Sequence, residues 1–293
     1  ERALKTTLDE NLAMIRDTVE YLHAEGRRVF VDCEHFFDGY QHDPAYAEQV
    51  VRVAHEAGAE AVVMCDTNGG MLPSGIHRIV TSIADAVPAA RLGIHCQDDT
   101  GCAVANTVAA VEAGATHAQV TANGYGERTG NADLFVVGAN LAFKLGIPVL
   151  PETSLANMVR VSHQLAEIAN LPPDTHQPYV GTSSFAHKAG LHASALRVDH
   201  DLYNHIDPTR VGNDMRVLVT EMAGRASVEL KGAELGIDLA DKPEVISTIV
   251  EQVKDLESEG WTFEAADASF ELLLRDAMGE QVRFFTVESW RAI

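Results

Sequence analysis

The segment Leu92–Asn106, Leu-Gly-Ile-His-Cys-Gln-Asp-Asp-Thr-Gly-Cys-Ala-Val-Ala-Asn, joins a short apolar strand to an Ala/Val-rich helix through a cluster of polar residues. The strand is expected to end near His95. His95 and Gln97 are two residues apart, so both side chains point to the same side if the strand extends that far. Polar groups between a strand and the next helix commonly form sites in α/β enzymes. The alternative is an ordinary turn in which Asp99 or Thr100 caps the helix.

Similar strand-to-helix units precede and follow this segment. The other predicted strands are Arg28–Cys33, Ala61–Cys65 and His117–Thr121, and helices are predicted at Thr7–Glu25, at Pro44–Ala57, from about Pro73, and at Ala132–Leu145. The sequence Glu-Ala-Gly-Ala begins at Glu56 and again at Glu112, and in both places its glycine is expected to end a helix in a left-handed turn. Four such alternations predict a parallel sheet, because right-handed crossovers return each helix to it.

Polar residues follow every predicted strand. Glu34 follows the first strand, Thr67 follows the second, His95 and Gln97 end the third, and Asn131 ends the loop after the fourth. The carboxyl ends of parallel strands meet at one edge of a sheet or barrel. These residues are therefore expected to share one site.

The loop Asn123–Asn131, Asn-Gly-Tyr-Gly-Glu-Arg-Thr-Gly-Asn, contains three glycines. Such a loop is compatible with phosphate binding, but it lacks the spacing of a dinucleotide-binding fingerprint. A flexible loop in which Asn131 caps the following helix is the alternative.

Composition restricts the class of protein. The chain has 293 residues, of which 46% are apolar, so it can bury a sizeable core and form about two domains. Its net charge of −21 argues against nucleic acid or an anionic membrane surface as a partner. The four cysteines lack paired spacing, so a reducing, cytoplasmic location is expected. No apolar run approaches the roughly 18 residues of a membrane helix.

Six segments carry a resemblance to a known family. They are Asp-Cys-Glu-His-Phe-Phe-Asp-Gly-Tyr from Asp32, Cys-Asp-Thr-Asn-Gly-Gly from Cys65, Gly-Ile-His from Gly93 with Asp-Asp-Thr-Gly-Cys-Ala-Val-Ala-Asn from Asp98, the loop from Asn123, His-Gln-Pro-Tyr-Val-Gly from His176, and Phe-Ala-His-Lys-Ala-Gly-Leu-His from Phe185. Over nearly its whole length the chain resembles the α-isopropylmalate synthase family, most closely its citramalate synthase branch.

The resemblance implies a metal-assisted, Claisen-type acyltransferase on a TIM barrel. Such an enzyme condenses acetyl-CoA with a 2-oxo acid in isoleucine or leucine biosynthesis, as a cytoplasmic homodimer. Pyruvate, giving citramalate, is favoured by the branch, and 2-oxoisovalerate, giving 2-isopropylmalate, is the alternative substrate. A Claisen-cleaving lyase of the same superfamily is a second alternative, against which the segment Gly-Glu-Arg-Thr-Gly-Asn from Gly126 speaks.

The resemblance also implies a divalent metal, zinc, manganese or magnesium, bound by His95, Gln97 and Asn131. In the family the first two positions form a His-x-His pair, and the metal polarises the substrate's keto oxygen. Gln97 stands where the second histidine is expected, and a neutral amide is a poorer ligand for zinc or manganese than imidazole. Weaker metal binding is therefore predicted.

Four further residues match positions with roles in the family. Thr67 is expected to hydrogen-bond the carboxylate of the oxo acid, and Glu34 to supply a carboxylate in the active site. His192 and Tyr203 match a pair that the partner subunit inserts, with the histidine acting in proton transfer at the acetyl methyl group.

The expected fold is α/β: the second half of a TIM (β/α)8 barrel, with about four parallel βα units, then a mainly helical subdomain and the start of an α+β regulatory domain. The family's opening segment, with an Asp ligand and an Arg, has no counterpart, so the chain is expected to be an inactive fragment. The regulatory domain is expected to be cut off at its first strand, so feedback inhibition is not expected. The predicted domains are residues 1–150, 151–240 and 241–293. Helices are predicted at Ser154–Asn170, Val217–Glu221, Ser227–Leu235, Pro243–Ser258 and Asp267–Met278, and a strand from Phe284 to Trp290.

Overall fold

The computed structural model describes residues 5–187, 192, 195–196, 198–199, 202–217, 224–263, 266–280 and 285–291. The chain divides into two compact units, residues 1–173 and 174–293. The three-part division at residues 150 and 240 stays a prediction. Among the described helices, none combines the length and the apolar character that crossing a bilayer requires.

The first unit is built on a four-stranded parallel sheet. The strands are β1 (Phe30–Cys33), β2 (Ala61–Asp66), β3 (Leu92–Cys96) and β4 (His117–Gln119). Each strand pairs with the next one along the chain, in the order β1-β2-β3-β4. This arrangement confirms the predicted succession of parallel βα units and makes the unit a partial α/β barrel.

Helices separate the strands and continue beyond them. They are α1 (Leu8–Ala24), α2 (Phe36–His42), α3 (Pro44–Glu56), α4 (Pro73–Ala86), α5 (Ala103–Glu112), α6 (Leu134–Phe143), α7 (Glu152–Leu155) and α8 (Met158–Ala169). Proline at the first turn starts α3 and α4, where its missing N–H costs nothing. Gly58 and Gly114, the glycines of the repeated sequence, have φ of +103° and +110°, as predicted for a left-handed turn.

The two faces of the sheet differ in chemistry. On one face, side chains such as Met64, Ile94 and Cys96 are buried in the apolar core with residues of the surrounding helices. The alternate positions point to the other face, where the exposed Asp32 and the half-buried His95 lie beside the buried Val63 and Cys65. The sheet therefore packs its helices on one side and presents polar groups on the other.

Several helix boundaries differ from the predictions. Neither Asp99 nor Thr100 caps α5. Asp98 accepts the N–H of Ala103 instead, at 2.8 Å. Asn131 does not cap the next helix, because Asp133 accepts the N–H of Phe135 at 2.9 Å. A short helix, α2, was not predicted, and the helix predicted at Ser154–Asn170 is interrupted between α7 and α8.

The described part of the second unit contains short strands and three helices of ten residues or more. They are β5 (Ala186–His187), β6 (Arg216–Val217), α9 (Arg225–Glu234), α10 (Pro243–Ser258) and α11 (Asp267–Ala277). Apolar residues of the helices form their own core, which includes Ile249, Phe270 and Leu274. The buried Lys231 of α9 pairs with Asp267 of α11 at 2.8 Å, so a charged contact also joins these helices.

Two predictions for this unit fail where they can be checked. Val217 lies in β6 and not in a helix, and residues 218–221 of that predicted helix lie outside the described residues. The predicted terminal strand is absent from residues 285–290, which have no regular structure, and Phe284 lies outside the described residues.

Gly93 is expected to be essential for the packing of β3. A Cβ atom at this position would lie 2.9 Å from the Val63 side chain, which is fully buried, and 3.1 Å from the ring of His117. We expect Gly93→Ala to lower the free energy of unfolding by about 1–3 kcal/mol, because an overpacked core forces side chains out of their rotamers. Urea unfolding followed by circular dichroism measures the change.

The matched control is Gly39→Ala, in α2, where an added Cβ atom has no neighbour within 4 Å. Alanine favours a helix over glycine, so this variant should be neutral or up to about 1 kcal/mol more stable. Equal stabilities for the two variants would contradict the packing argument.

Candidate active site

An antiparallel bridge folds the loop after β4 back against the end of β3. Gln97 and Asn131 are directly opposite each other in this bridge. Backbone hydrogen bonds flank it, from Asp98 N–H to the Gly130 carbonyl at 3.0 Å and from Ala132 N–H to the Cys96 carbonyl at 3.1 Å. Directly opposed residues project to the same face, so the bridge places the two predicted metal ligands side by side.

The side-chain oxygens of these two residues lack hydrogen bonds. Gln97 Oε1 and Asn131 Oδ1 are both buried, and neither has a partner within the described part of the chain. The amide nitrogen of Asn131 donates to the Tyr125 carbonyl at 3.1 Å, which orients that amide. A buried acceptor without a partner costs about 1–3 kcal/mol, so two of them together indicate a place for a donor or a cation.

Glycine at 126 is required for this arrangement. A Cβ atom there would overlap the amide nitrogen of Asn131. The glycine therefore permits the loop backbone to pass directly over the Asn131 side chain.

His95, the third predicted ligand, is fixed by a neighbour on β4. Its Nδ1 lies 2.9 Å from Gln119 Oε1, and the Gln119 amide nitrogen donates to Asp32 Oδ1 at 2.8 Å. His95 and Gln97 are both half-buried, whereas Ile94 and Cys96 are buried, as expected if β-strand alternation continues past the end of β3.

The side chains of these three residues are of kinds that bind divalent cations, but none of them supplies a negative charge. They offer one imidazole and two amide oxygens, of which the oxygens are the unpartnered buried atoms. Among the described residues, no group of three or more His, Cys, Asp or Glu side chains is arranged to bind a metal. A neutral set rich in oxygen suits manganese or magnesium better than zinc, which prefers nitrogen and sulfur.

Thr67 lies between two backbone segments at the same edge of the sheet. Its Oγ1 accepts the backbone N–H of His35 at 2.8 Å, and its carbonyl accepts from Arg128 Nη2 at 2.7 Å. His35 adopts a left-handed backbone with φ of +56° directly after Glu34, whose side chain is exposed. The hydroxyl proton of Thr67 is therefore available to donate to a ligand.

Arg128 closes the site on the side of the loop, a role that the sequence analysis missed. Its guanidinium binds both oxygens of Asp99, at 2.7 and 2.9 Å. This hydrogen-bonded pair lowers the pKa of the Asp99 carboxyl and raises the pKa of Arg128. The ion pair consequently persists to more acidic pH than the ordinary pKa of an aspartate would allow.

Gly69 permits a close approach to the same pair. A Cβ atom at Gly69 would lie 2.7 Å from the backbone nitrogen of Asp99, and Gly69 has φ of +61°.

The buried Asp66, at the end of β2, accepts the N–H groups of Gly70 and Met71, both at 3.2 Å. Burial raises the pKa of Asp66, and these backbone hydrogen bonds oppose the shift.

The second unit brings the other two predicted residues together. The rings of His192 and Tyr203 are stacked, with centroids 4.1 Å apart. His187 lies beside them, 5.9 Å from the His192 ring, and its Nε2 is 3.1 Å from Asn204 Oδ1. Residues 188–191 of the motif lie outside the described residues.

The buried cysteines are unsuited to nucleophilic chemistry. Cys33, Cys65 and Cys96 are buried, and burial raises the pKa of each thiol. Since the thiolate is the reactive form, these side chains serve as small apolar residues.

Comparison with known proteins places these motifs in context. A family model described as HMGL-like matches residues 1–165, and one described as homocitrate synthase post-HMGL domain-like matches residues 179–260. The chain is 67% identical to the (R)-citramalate synthase of Streptomyces coelicolor, covering 100% of this chain and 55% of that protein. It is 48% identical to the (R)-citramalate synthase of Synechocystis sp., covering 98% of this chain and 54% of that protein.

The chain thus spans about half the length of the curated relatives that it matches. Among solved structures, hydroxymethylglutaryl-CoA lyase from Pseudomonas aeruginosa aligns with a TM-score of 0.49 at 22% identity, covering 59% of each chain.

Replacing Arg128 should loosen the loop Asn123–Asn131. We expect Arg128→Ala to increase amide hydrogen exchange in this loop roughly fivefold, because the loop loses its contacts with Asp99 and the Thr67 carbonyl. Hydrogen–deuterium exchange with mass spectrometry of a peptide spanning the loop measures the rate.

Arg52→Ala is the matched control. Its side chain is also 44% exposed and also binds one carboxylate, of Glu48, and one carbonyl, of Ala86, but at a distance in sequence from the loop. Exchange in the loop should be unchanged in this variant. Unaltered exchange in Arg128→Ala as well would show that the bridge at Gln97 holds the loop without the ion pair.

Proposed function

The chain belongs to the HMGL-like family, and we propose that the protein containing it condenses acetyl-CoA with pyruvate to give citramalate. The observation that carries this proposal is the 67% identity to an (R)-citramalate synthase over the entire chain. In the proposed reaction the acetyl methyl carbon loses a proton and forms a bond to C2 of pyruvate, whose keto oxygen takes the negative charge. Hydrolysis of the thioester then releases the thiol of coenzyme A.

We propose that His95, Gln97 and Asn131 hold a divalent cation in this protein. The two unpartnered buried oxygens support the proposal, and they favour manganese or magnesium. The cation would supply Lewis-acid polarisation of the keto oxygen of the substrate. Gln97 and Asn131 are presented by the bridge, and His95 by its contact with Gln119.

Thr67 is proposed to bind the carboxylate of pyruvate. Its hydroxyl oxygen accepts the His35 N–H, which leaves the hydroxyl proton available to donate to the carboxylate. Glu34, exposed at the end of β1, is proposed as the carboxylate of the same site. These two roles rest on the matching positions of the family together with the placement of both residues after adjacent strands.

His192 is proposed to take the proton from the acetyl methyl group, with Tyr203 holding its ring. The stacked contact between the two rings supports this pairing, because it restricts the orientation of the imidazole. The proposed arrangement is a homodimer in which one subunit supplies the pair to its partner. The proposed location of the protein is the cytoplasm.

The activity is tested by thiol release from acetyl-CoA in the presence of Mn²⁺. The assay compares the 293-residue chain with a version extended upstream to a complete barrel, with pyruvate or 2-oxoisovalerate as the acceptor. We expect turnover only in the extended protein and with pyruvate as the better substrate. A second assay supplies citramalyl-CoA as the substrate. Cleavage of citramalyl-CoA to acetyl-CoA and pyruvate, without any condensation in the first assay, would support the lyase instead.

In the extended protein, His192→Ala should lower kcat by about 10²–10⁴-fold, the usual contribution of a general base. His163→Ala, on α8, is the control and should leave kcat unchanged. Loss of activity in both variants would indicate a general defect in folding.

Gln97→His should increase the affinity for Mn²⁺ at least about tenfold, because imidazole is the better ligand for this metal. The affinity is measured on the chain itself, from the electron paramagnetic resonance signal of free Mn²⁺. Gln41→His, an exposed position on α2, introduces the same residue away from the site and should leave the affinity unchanged. An unchanged affinity in Gln97→His would refute the placement of Gln97 among the ligands.

A further inference from the structure

Three side chains from three strands form a continuous chain of hydrogen bonds across the polar face of the sheet. Asp32 is on β1, His95 on β3 and Gln119 on β4. The contacts are 2.8 Å between Asp32 Oδ1 and the Gln119 amide nitrogen, and 2.9 Å between Gln119 Oε1 and His95 Nδ1. We refer to these residues as the Asp32–Gln119–His95 triad.

The triad spans the full width of the sheet. His95 and Gln119 are paired neighbours, whereas β1 and β4 are the first and last strands of the sheet. Strands lie about 4.8 Å apart, so three intervals would separate Asp32 from Gln119 by roughly 14 Å in a flat sheet. A 2.8 Å contact between these side chains therefore requires a sheet that curls around the polar face.

The donors and acceptors of the triad can be arranged in one way only. A carboxylate accepts hydrogen bonds and has none to donate, so the NH₂ group of Gln119 must face Asp32. The carbonyl oxygen of Gln119 consequently faces His95 and can only accept. Nδ1 of His95 must then carry the proton.

The remaining nitrogen of His95 follows from this assignment. A neutral imidazole has one N–H group, so Nε2 keeps its lone pair when Nδ1 is protonated. Within the described part of the chain, Gln119 supplies the hydrogen bond found on the His95 ring. The opposite tautomer would set the lone pairs of Nδ1 and of the Gln119 carbonyl against each other.

We infer that Asp32 and Gln119 are positioning residues that hold His95 in the Nδ1-protonated tautomer and aim Nε2 outward as a ligand. The inference rests on the proposed function, because it gives the lone pair of Nε2 to the proposed cation. Hydrogen bonds of this kind fix the ring orientation and increase the basicity of a ligand. In this role Asp32 acts through Gln119, and Gln119 acts through His95.

The first test determines the tautomer directly. The 293-residue chain is labelled with ¹⁵N-histidine, and two-bond ¹H–¹⁵N correlation spectra identify the protonated nitrogen of each ring. The signals of His95 are assigned by their loss in His95→Gln. We expect Nδ1 to be protonated in the unsubstituted chain and the Nε2-protonated form to appear in Gln119→Leu.

The second test measures Mn²⁺ affinity by electron paramagnetic resonance. Gln119→Leu should weaken binding by about 10–100-fold, as is usual when the hydrogen-bond partner of a ligating histidine is lost. Gln164→Leu, an exposed position on α8, is the matched control and should change neither the tautomer nor the affinity.

An exchange of functional groups separates the triad from general packing. In the double variant Asp32→Asn with Gln119→Glu, the Asn amide donates to the Glu carboxylate, which still accepts from Nδ1. We expect this variant to retain the tautomer and to bind Mn²⁺ within about threefold of the unsubstituted chain. Gln119→Glu alone places two carboxylates in contact, and we expect it to displace the Gln119 position from His95.

Two outcomes would overturn the inference: an unchanged His95 tautomer in Gln119→Leu, or a double variant that behaves like Gln119→Leu in both measurements. Failure of the proposed function looks different. If the unsubstituted chain does not bind Mn²⁺ while the tautomer responds as expected, the positioning role stands and the proposed cation site does not. Circular dichroism of each variant verifies that it is folded.

Discussion

The parallel pairing of four consecutive strands is the constraint on which the rest of the first unit depends. Because all four strands run the same way, every segment that follows a strand emerges at the same edge of the sheet. The strand β2 is buried along its whole length, so the register of the strands on either side is fixed by packing as well as by hydrogen bonds. Residues far apart in sequence, such as His95 and Asn131, can therefore be presented by rigid elements.

Side-chain contacts and glycines then hold the loop after β4 against the sheet. The loop after β4 is held by the bridge at Gln97 on one side and by Arg128 on the other. Both contacts need close approaches of backbone and side chain, and Gly69 and Gly126 permit them. The glycines of this loop therefore belong to its packing against β2 and β3, which is a more specific role than the flexibility that the sequence analysis considered.

The sequence predicted the strands and most helices, because apolar periodicity and glycine after a helix are local signals. The cap of α5 was mispredicted because two neighbouring carboxylates compete for the start of this helix. Asp98 and not Asp99 binds the start of α5, since Asp99 is engaged by Arg128. The pairing of Asp32 with Gln119 could not be predicted, because the residues are 87 positions apart and meet only when the sheet curls. The spacing of residues along the sequence does not indicate how strongly the sheet curls.

The glutamine at position 97 weakens the proposed set of metal ligands, so the remaining residues of the site become more important for binding the cation. With a glutamine in place of the histidine that the resemblance predicts, the proposed ligand set consists of one imidazole and two amide oxygens and carries no negative charge. Attraction of a cation then depends on dipoles and on a single strongly donating nitrogen. Errors in the orientation of that one imidazole would no longer be compensated by a second one. A site with this composition therefore relies more heavily on Gln119 and Asp32 than a site with two histidines would.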